Sequence, residues 1–388
     1  MKTQSNSIIA VVMFVALHMS VAGAPPETVK LWSGGALPKA AEIPILSGVR
    51  ISSIKPHEPE TDGYQWLHGV GLIWHKGRLY SSFGHNKGRE NTRGEQARGS
   101  VSNDGGKTWG AVFTIASGDE HLGVSHGVFL SHHDALWSFH GAFYDDFQRT
   151  HTRAYRLDEA SGAWKPVEIK LGDGFWPLQN PVKMDDGNRI MAGARIAKGY
   201  KDAAGNLPAV AISRGDDFTK WDLVVLPCDD SVSPTSVWGE STVIVEGARI
   251  TNIARWTGAN PTALISESSD FGRTWTPVRA SNLPMAASKP HAGILSAGQR
   301  YLICTTTADT GNRRSPLTIA VSRPGERTLS KVFVIRAPDS SERIGLSYPC
   351  AIEHDGKLYV GYSNNGGRGG NRNSAELAVI PLSALKAK

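Results

Sequence analysis

Side chains that can bind anions or transfer protons recur along this sequence, just outside pairs of short apolar segments. In chain order they are His68, His85, His126, His140, Tyr144, Gln179, Arg195, Glu240, Arg255, Lys289, His291, Tyr348, Asn364 and Arg368. Imidazole groups transfer protons near neutral pH, and guanidinium and ammonium groups bind carboxylates. The set therefore predicts a site for a carboxylate-bearing ligand, with acid–base chemistry beside it.

Six pairs of apolar segments must position these side chains, and a tight turn joins each pair. The turns contain Gly77, Asp134, Gly187, Gly247, Gly298 and Gly356, at intervals of 51 to 60 residues. Such turns between apolar segments predict β-hairpins, and six repeats of this length predict an all-β fold, a single β-propeller. The outer ends of all the hairpins would then gather at one mouth of the channel.

A second repeated pattern supports the propeller. Residues Ser102–Trp109 and Ser268–Trp275 both fit S-x-D-x-G-x-T-W, the Asp-box. Its aspartate can accept backbone N–H bonds inside the turn, its glycine permits positive φ, and its tryptophan packs between strands. We interpret Asp104 and Asp270 as structural residues of the blade rim.

The two ends of the chain carry further predictions. Lys2, an apolar run from Ile8 to Leu17 and small residues around Ala22 predict a signal peptide over residues 1–22, and therefore a secreted or periplasmic protein. We expect residues 23–388 to form the propeller domain, without a membrane span. The segment Val29 to Ile54 could close the ring against a C-terminal strand at Ala375 to Ile380.

Composition excludes other classes of function. The net charge of +6, or +5 without Lys2, is too small and too dispersed for a nucleic-acid-binding protein. Cys228, Cys304 and Cys350 have neither disulfide-framework nor metal-ligand spacing, so we favour free thiols and expect neither a metal nor a cofactor. We expect a monomer whose partner is an acidic oligo- or polysaccharide.

The sequence also predicts two loops and the exposure of four further histidines. The polar stretch 84–92, which includes His85 and Asn86, is interpreted as a loop over the cleft, and the glycine-rich stretch 366–370 as a flexible loop. Four histidines near the hairpin turns are expected to be exposed: His75, His132, His133 and His354.

Several of these stretches resemble a known group of proteins. They are His68-Gly69, Gly84-His85-Asn86 with Glu90-Asn91-Thr92, 125–130, 288–290 with 298–302, and 373–377. They resemble secreted sialidase-like propellers, more narrowly the L-rhamnose–α-1,4-D-glucuronate lyases and rhamnosidase-like propellers, and more distantly propeller ulvan lyases. The resemblance implies seven blades.

The resemblance also implies roles for particular residues. His85 would be the catalytic histidine and His68 its partner, Tyr144 would donate a proton, and Arg195 and Arg255 would neutralise a uronate carboxylate during β-elimination. The remaining substrate-binding candidates are Asn86, His126, Lys289, Gln179 and Arg368. A lyase acting on a rhamnosyl-glucuronate linkage is therefore the leading prediction.

Three alternatives stay open. A rhamnosidase on the same scaffold would hydrolyse the bond instead of eliminating. A sialidase needs an arginine triad, a tyrosine–glutamate pair and an acidic aspartate; Arg195, Arg255, Tyr348 and Glu240 could serve, but Arg50-Ile51-Ser52 lacks the proline of the arginine–isoleucine–proline motif. A carbohydrate-binding propeller without catalysis would need no paired histidines.

Overall fold

The computed structural model describes residues 28–145, 147–196, 206–229, 231–232, 237–258, 261–337 and 344–386. The signal peptide predicted for residues 1–22 lies outside this part of the chain, so cleavage and export stay predictions. No helix in the described residues is long and apolar enough to cross a membrane.

In the part of the chain that the structure describes, twenty-five strands form six antiparallel sheets, which we call blades I to VI. Blade I contains β2 to β5 (Trp66–His75, Arg78–Asn86, Gln96–Ser102, Phe113–Ala116). Blade II contains β6 to β9 (Leu122–His132, Ala135–Tyr144, Gln148–Asp158, Ala163–Val167). Blade III contains β10 to β14 (Phe175–Pro177, Val182–Lys183, Arg189–Arg195, Leu207–Arg214, Asp217–Val225).

The second half of the chain repeats this order. Blade IV contains β15 to β18 (Val237–Glu246, Arg249–Trp256, Thr262–Ser268, Arg279–Pro284). Blade V contains β19 to β22 (His291–Ile294, Arg300–Cys304, Leu317–Val321, Lys331–Arg336). Blade VI contains β23 to β25 (Leu346–His354, Lys357–Asn364, Ser374–Pro381) and β1 (Arg50–Lys55). The helical elements in the described residues are α1 (Pro59–Asp62) and two 3₁₀ turns, Ala40–Glu42 and Leu382–Ala384.

The ring closes as predicted, because β1 from the N-terminal segment pairs antiparallel with the C-terminal strand β25. Upstream of β1, the described residues 28–49 pair with blades IV and V through isolated bridges at Val29, Trp32 and Ile45. The seventh blade that the resemblance implied is therefore wrong for the described residues: the segment that would have formed it lies across existing blades and adds one strand to blade VI.

The predicted hairpins have the expected turn chemistry. In blade I, His75 pairs with Arg78, and the two-residue loop Lys76-Gly77 has φ values of 47° and 73°. Blade VI repeats this arrangement at Asp355-Gly356, with φ values of 47° and 68°. Positive φ at both loop residues is the mark of the type I′ turn, which suits the twist of an antiparallel pair.

The blades are held together by apolar faces packed between neighbouring sheets. One such cluster joins Leu72, Leu79 and Phe83 of blade I to Leu377 of blade VI, and all four are essentially inaccessible to solvent. Burial of apolar surface of this kind contributes about 25 cal/mol per Å². Each blade is thus stabilised on two faces, which fixes the positions of the inner strands around the channel.

The Asp-box aspartates act inside their own turns. Asp104 accepts bonds from the amides of Lys107 and Thr108 and from the Thr108 hydroxyl, and Ser102 donates to it as well. Asp270 repeats this pattern, and hydrogen bonds from Thr274 and Ser268 outweigh the opposing effect of desolvation and lower the pKa of Asp270 to about 2. Both carboxylates are therefore turn residues on the rim, as interpreted.

The prediction that His75 is an exposed turn residue is wrong: its side chain is 1% exposed and bonds to Ser131 and Glu159 of blade II. Because His75 ends β2, its side chain turns toward the next blade rather than toward solvent.

The three cysteines are free thiols, as favoured, with Cys304 and Cys350 buried and Cys228 half-buried.

Candidate functional site

A cavity opens at one mouth of the central channel and receives side chains from all six blades. Its lining consists of His68, Glu90, Asn91, His126, Phe147, Trp176, Leu178, Ala194, Ile196, Asn206, Trp238, Glu240, Arg255, Arg314, Tyr348 and Asn371. Most of these side chains are polar or charged, and an apolar wall lies beside them; concave sites with converging polar groups are where small molecules bind. The cavity is therefore the candidate functional site.

Irregular strand pairing explains how the inner strands deliver polar groups to this mouth. The pairing register shifts between His68 and Gly71 in β2 and between Val124 and Gly127 in β6. Shifts at the same level occur in β15, after Val237, and in β23, after Ser347. Bulges re-aim side chains and are common beside active sites. Here they lie at or beside His68, His126, Glu240 and Tyr348.

The centre of the cavity is a hydrogen-bonded tyrosine–glutamate pair. The Tyr348 hydroxyl donates to one carboxylate oxygen of Glu240, and the other oxygen accepts a 2.8 Å bond from Arg255. Arg255 also reaches the Tyr348 oxygen at 3.5 Å and lies over the Trp238 ring. Because Glu240 holds both neighbours, the phenol has an acceptor for its proton and a guanidinium beside its oxygen.

The surroundings of Tyr348 stabilise its protonated form and hold its backbone in a strained conformation. Burial and the nearby Glu240 carboxylate raise the pKa of Tyr348 well above its ordinary value, against the opposing effect of Arg255 and Arg314. The phenol is therefore protonated in the resting site. Its backbone φ is 55°, a left-handed conformation that costs about 1–3 kcal/mol for such a residue. Strain of this kind concentrates at functional sites.

Arg314 supplies a second cation from the loop between β20 and β21. Its guanidinium lies 5.9 Å from the centre of the Tyr348 ring and donates a 3.0 Å bond to the Ala287 carbonyl, a neutral partner. Arg255 is paired with Glu240, whereas Arg314 bonds to a neutral carbonyl. Arg314 therefore gives the cavity a positive charge that can bind an anion. Two guanidinium groups on one wall suit bidentate binding of a carboxylate.

A second carboxyl group enters from the loop between β3 and β4. Glu90 lines the cavity and accepts a 2.8 Å bond from Asn371. Burial raises the pKa of Glu90, and the Glu240 carboxylate adds to the shift, against the Asn371 bond and the two arginines. Glu90 and Glu240 thus differ in environment, one favoured as the acid and the other held between a tyrosine and an arginine. Such divergence is typical of acid–base pairs.

Two histidines pack around the tyrosine in their neutral form. The His68 ring centre lies 3.9 Å from that of Tyr348, and the His126 ring centre 5.6 Å from it. Burial, together with nearby Lys289 and His140, lowers the pKa of His126 to about 3. Burial and the nearby His126 and Arg314 lower the pKa of His68 well below its ordinary value.

The sequence matches a known family of domains. Residues 83–360 match the BNR repeat-like domain, which is more than half of the 388 residues. The chain belongs to the family of BNR repeat-like domains. Curated proteins give no match to the sequence.

Many solved structures resemble this BNR repeat-like chain in fold. It aligns with the Hadza microbial sialidase Hz136 at a TM-score of 0.66 and 16% identity, over 86% of this chain and 69% of that one. The same TM-score is found with Trypanosoma rangeli sialidase, at 14% identity, over 88% and 61%. A protein of unknown function from Dyadobacter fermentans gives 0.66 at 16% identity, over 86% and 99%. At these identities the likeness establishes the sialidase-like propeller fold; the chain spans only about three fifths of the trypanosomal enzyme.

The BNR repeat-like fold brings five of the predicted flank residues into the cavity and one beneath it. His68, His126, Glu240, Arg255 and Tyr348 line the cavity. Lys289 lies under Tyr348, where its ammonium group donates a 2.6 Å bond to the Pro349 carbonyl. Burial lowers the pKa of Lys289. His68 and Arg255 thus lie in one cavity, whereas their roles stay predictions.

His85 lies outside the cavity, which corrects its predicted meeting with His68. In β2 and β3, His68 pairs with Gly84 and His85 pairs with Leu67, so the two histidines project from opposite faces of blade I. His85 stacks on Tyr64 at 4.0 Å and lies 3.2 Å from Arg98. Burial and Arg98 lower the pKa of His85 to about 3.

Arg195 and Tyr144 also do not line the cavity. Arg195 alternates along its strand with Ala194 and Ile196, which do line it, so its side chain leaves the opposite face. Tyr144 stacks on His151 at a centroid distance of 5.3 Å, with Arg149 over its ring at 4.2 Å. The four-residue pocket predicted around His68, His85, Arg195 and Arg255 is therefore wrong for two of its members.

The remaining predicted binding residues hold the scaffold. Asn86 ends β3 and bonds to Thr92 and Gly88, so stretch 84–92 is a strand end followed by a loop. Gln179 is buried and bonds to the backbone of Val243 and Ala292, which ties blade III to blades IV and V. Arg368 bonds within its own loop, to the carbonyls of Asn364 and Arg372. Stretch 366–370 is a loop, as predicted.

Potential metal ligands come together at one place in the described ranges. Atoms of His132, His133 and Asp216 lie within 4.8 Å of one another, outside the cavity lining. Arg189 approaches His132 Nδ1 at 3.2 Å, so a guanidinium occupies one side of this group. A cation at that place would face this positive charge.

Proposed function

We propose that this protein is a glycoside hydrolase that acts on a sugar bearing a carboxylate. The observation that carries the proposal is the arrangement of Tyr348, Glu240 and Arg255 with Arg314 on the wall of the cavity. It combines a nucleophile, a base and an anion site, and it includes the tyrosine–glutamate pair and two of the three arginines that the sialidase alternative requires. The sialidase-like fold and membership of the BNR repeat-like family support the same class of chemistry.

The chemistry follows from the positions of these groups. The Tyr348 oxygen attacks the anomeric carbon while its proton passes to Glu240, and the bond to the leaving-group oxygen breaks. Glu90, whose pKa burial raises, gives a proton to that oxygen. Water then attacks the glycosyl–tyrosine linkage, Glu90 takes up the proton of the water, and Tyr348 recovers its own from Glu240. A tyrosine nucleophile of this type is an accepted variant of retaining glycoside hydrolysis.

A tyrosine suits an acidic sugar better than a carboxylate would. A carboxylate nucleophile would approach a substrate that already carries a negative charge near the reacting carbon, and like charges repel. The neutral phenol avoids this repulsion, while Glu240 accepts the proton of the phenol. Arg255 and Arg314 then stabilise the substrate carboxylate.

The sequence-based lyase prediction also uses His68 and Arg255, which line this cavity, but its catalytic His85 and Tyr144 and its Arg195 do not. The sialidase alternative uses Glu240, Arg255 and Tyr348, which line the cavity, and Arg195, which does not. We therefore favour hydrolysis over β-elimination. Export and a monomeric state stay part of the proposal.

A panel of substrates tests this function. We would incubate the protein with 4-methylumbelliferyl glycosides of N-acetylneuraminate, glucuronate, galacturonate and rhamnose, and with a rhamnosyl-glucuronate glycan. The expected result is fluorophore release from an acidic glycoside and none from rhamnoside. Ultraviolet absorbance of an unsaturated uronate would instead establish the lyase, and binding without turnover would establish a lectin.

A further inference from the structure

Asn373 connects the C-terminal blade to the cavity histidine of blade I. This side chain is 1% exposed and immediately precedes β25. Its amide nitrogen lies 2.6 Å from the carbonyl oxygen of Leu67 and 3.1 Å from Nδ1 of His68. The contact spans about 305 residues of sequence, so it exists only in the closed ring.

These two contacts together fix the protonation of His68. The Leu67 carbonyl can only accept a hydrogen bond, so the group that faces it is the NH₂ group of Asn373 and not its oxygen. An amide NH₂ donates two hydrogen bonds and accepts none. Nδ1 of His68 must therefore be the acceptor, and the proton of the neutral ring lies on Nε2.

The surroundings of the ring favour this neutral form. The groups that face it are His126 of blade II, Arg255 of blade IV, Lys289 and Arg314 from the two sides of blade V, and Tyr348 of blade VI. Cations predominate among them, so an added positive charge on His68 would be repelled. Among the described residues that line the cavity, Arg255 and Arg314 against the Glu240 carboxylate leave a charge of about +1 when Glu90 is protonated.

We propose that Asn373 is a positioning residue that holds His68 as a neutral Nε2–H donor for an acceptor oxygen of the bound acidic sugar. The role of the sugar rests on the proposed function; the protonation of His68 does not. A neutral donor adds no positive charge to the cavity, where Arg255 and Arg314 are the cations among the described lining residues.

Histidine nitrogen NMR on the intact protein tests the first part without any substrate. His68→Gln identifies the His68 signals by their loss. In the wild type we expect a proton on Nε2, none on Nδ1, and no titration between about pH 5 and 8. A proton on Nδ1, or titration near the ordinary histidine pKa, would overturn the proposal, and this test needs no variant of Asn373.

Asn373→Asp then tests the control that Asn373 exerts. An aspartate accepts a proton from Nδ1 and attracts positive charge, so the Nδ1 signal should become protonated in this variant. If the variant does not fold, Asn373→Ala serves instead and should allow a mixture of the two protonation sites. An unchanged Nε2–H form in a folded variant would contradict a positioning role.

A matched variant separates this effect from general damage to β2. Asn180 also donates a bond to a carbonyl of that strand, Leu72, at 2.9 Å. Asn180→Asp should leave the His68 signals unchanged. With the acidic glycoside found by the panel, Asn373→Asp should lower kcat/KM about tenfold, mainly through KM, while Asn180→Asp should not. Equal effects of both would overturn the donor role, whereas absence of all turnover with the expected NMR result would count against the proposed function only.

Discussion

The hydroxyl of Tyr348 donates a hydrogen bond to the carboxylate of Glu240, although 108 residues and a whole intervening blade separate them along the chain. Each stands on the inner strand of its blade, at a place where the strand pairing is irregular. The pair has Arg255 on one side and Arg314 near the Tyr348 ring. The predictions below follow from this centre.

Arg314 should carry much of the affinity for the substrate carboxylate. Arg314→Gln removes a charge-assisted contact worth about 1.5–3 kcal/mol, so kcat/KM should fall about 10- to 100-fold. The matched control is Arg313→Gln, since Arg313 belongs to the same loop but is exposed and pairs with Asp309. Equal losses in the two variants, measured by steady-state kinetics, would show that the loop and not the Arg314 charge is responsible.

His85 should be dispensable for turnover. His85→Gln keeps an acceptor near Arg98 and changes nothing that lines the cavity, so the hydrolysis rate should stay within about threefold of wild type once folding is matched. The measurement is kcat at saturating acidic glycoside, with circular dichroism as the check on folding. Loss of turnover in a folded variant would return His85 to the catalytic role that the lyase prediction gave it.

Glu95 should make stability depend on pH. It is fully buried beneath the loop that bears Glu90, and burial raises its pKa to about 8 from 4.5. Between these values the unfolded state releases a proton that the folded state keeps, so stability should fall by a few kcal/mol as pH rises through this window.

Urea unfolding at pH 5 and pH 8 checks this effect of Glu95. Glu95→Gln cannot ionise, so its unfolding midpoint should change less between the two pH values and should exceed that of wild type at pH 8. Glu120→Gln is the control, because Glu120 is largely exposed. A wild-type pH dependence that persists unchanged in Glu95→Gln would contradict the prediction.

The sequence predicted the scaffold well because its signals are local. Two-residue turns such as Lys76-Gly77 specify their hairpins through backbone conformation, and the Asp-boxes close their own turns. Pairing of β1 with β25 could be predicted because a ring must bury its last edge. The blade count was harder, since the early segment has strand-like residues but bonds only to existing blades.

The site was predicted less completely, because strand register and loop paths decide it. His68 faces the cavity, whereas His85 pairs with the preceding residue of β2, Leu67, and therefore lies on the opposite face of blade I. Bulges have no reliable sequence signal, yet they aim Glu240 and Tyr348. Both residues were among the predicted flank residues, but only for the sialidase alternative.

Glu90 and Arg314 were missed as site residues for a different reason. They come from loops outside the hairpin repeat, so the periodic pattern does not mark them. The signal that could have found them is the polar density of those two loops, at 87–95 and 305–316.

The most direct measurement of the central claim compares two buried tyrosine–glutamate pairs. Tyr348 bonds to Glu240 in the cavity, whereas Tyr362 donates a 2.7 Å bond to Glu376 outside its lining. With the acidic glycoside that the wild type cleaves, Tyr348→Phe should lower kcat about 10²- to 10⁴-fold, while Tyr362→Phe should lower thermal stability but leave kcat nearly unchanged. A folded Tyr348→Phe protein that keeps wild-type kcat, or equal losses in both variants, would contradict the assignment of Tyr348 as nucleophile.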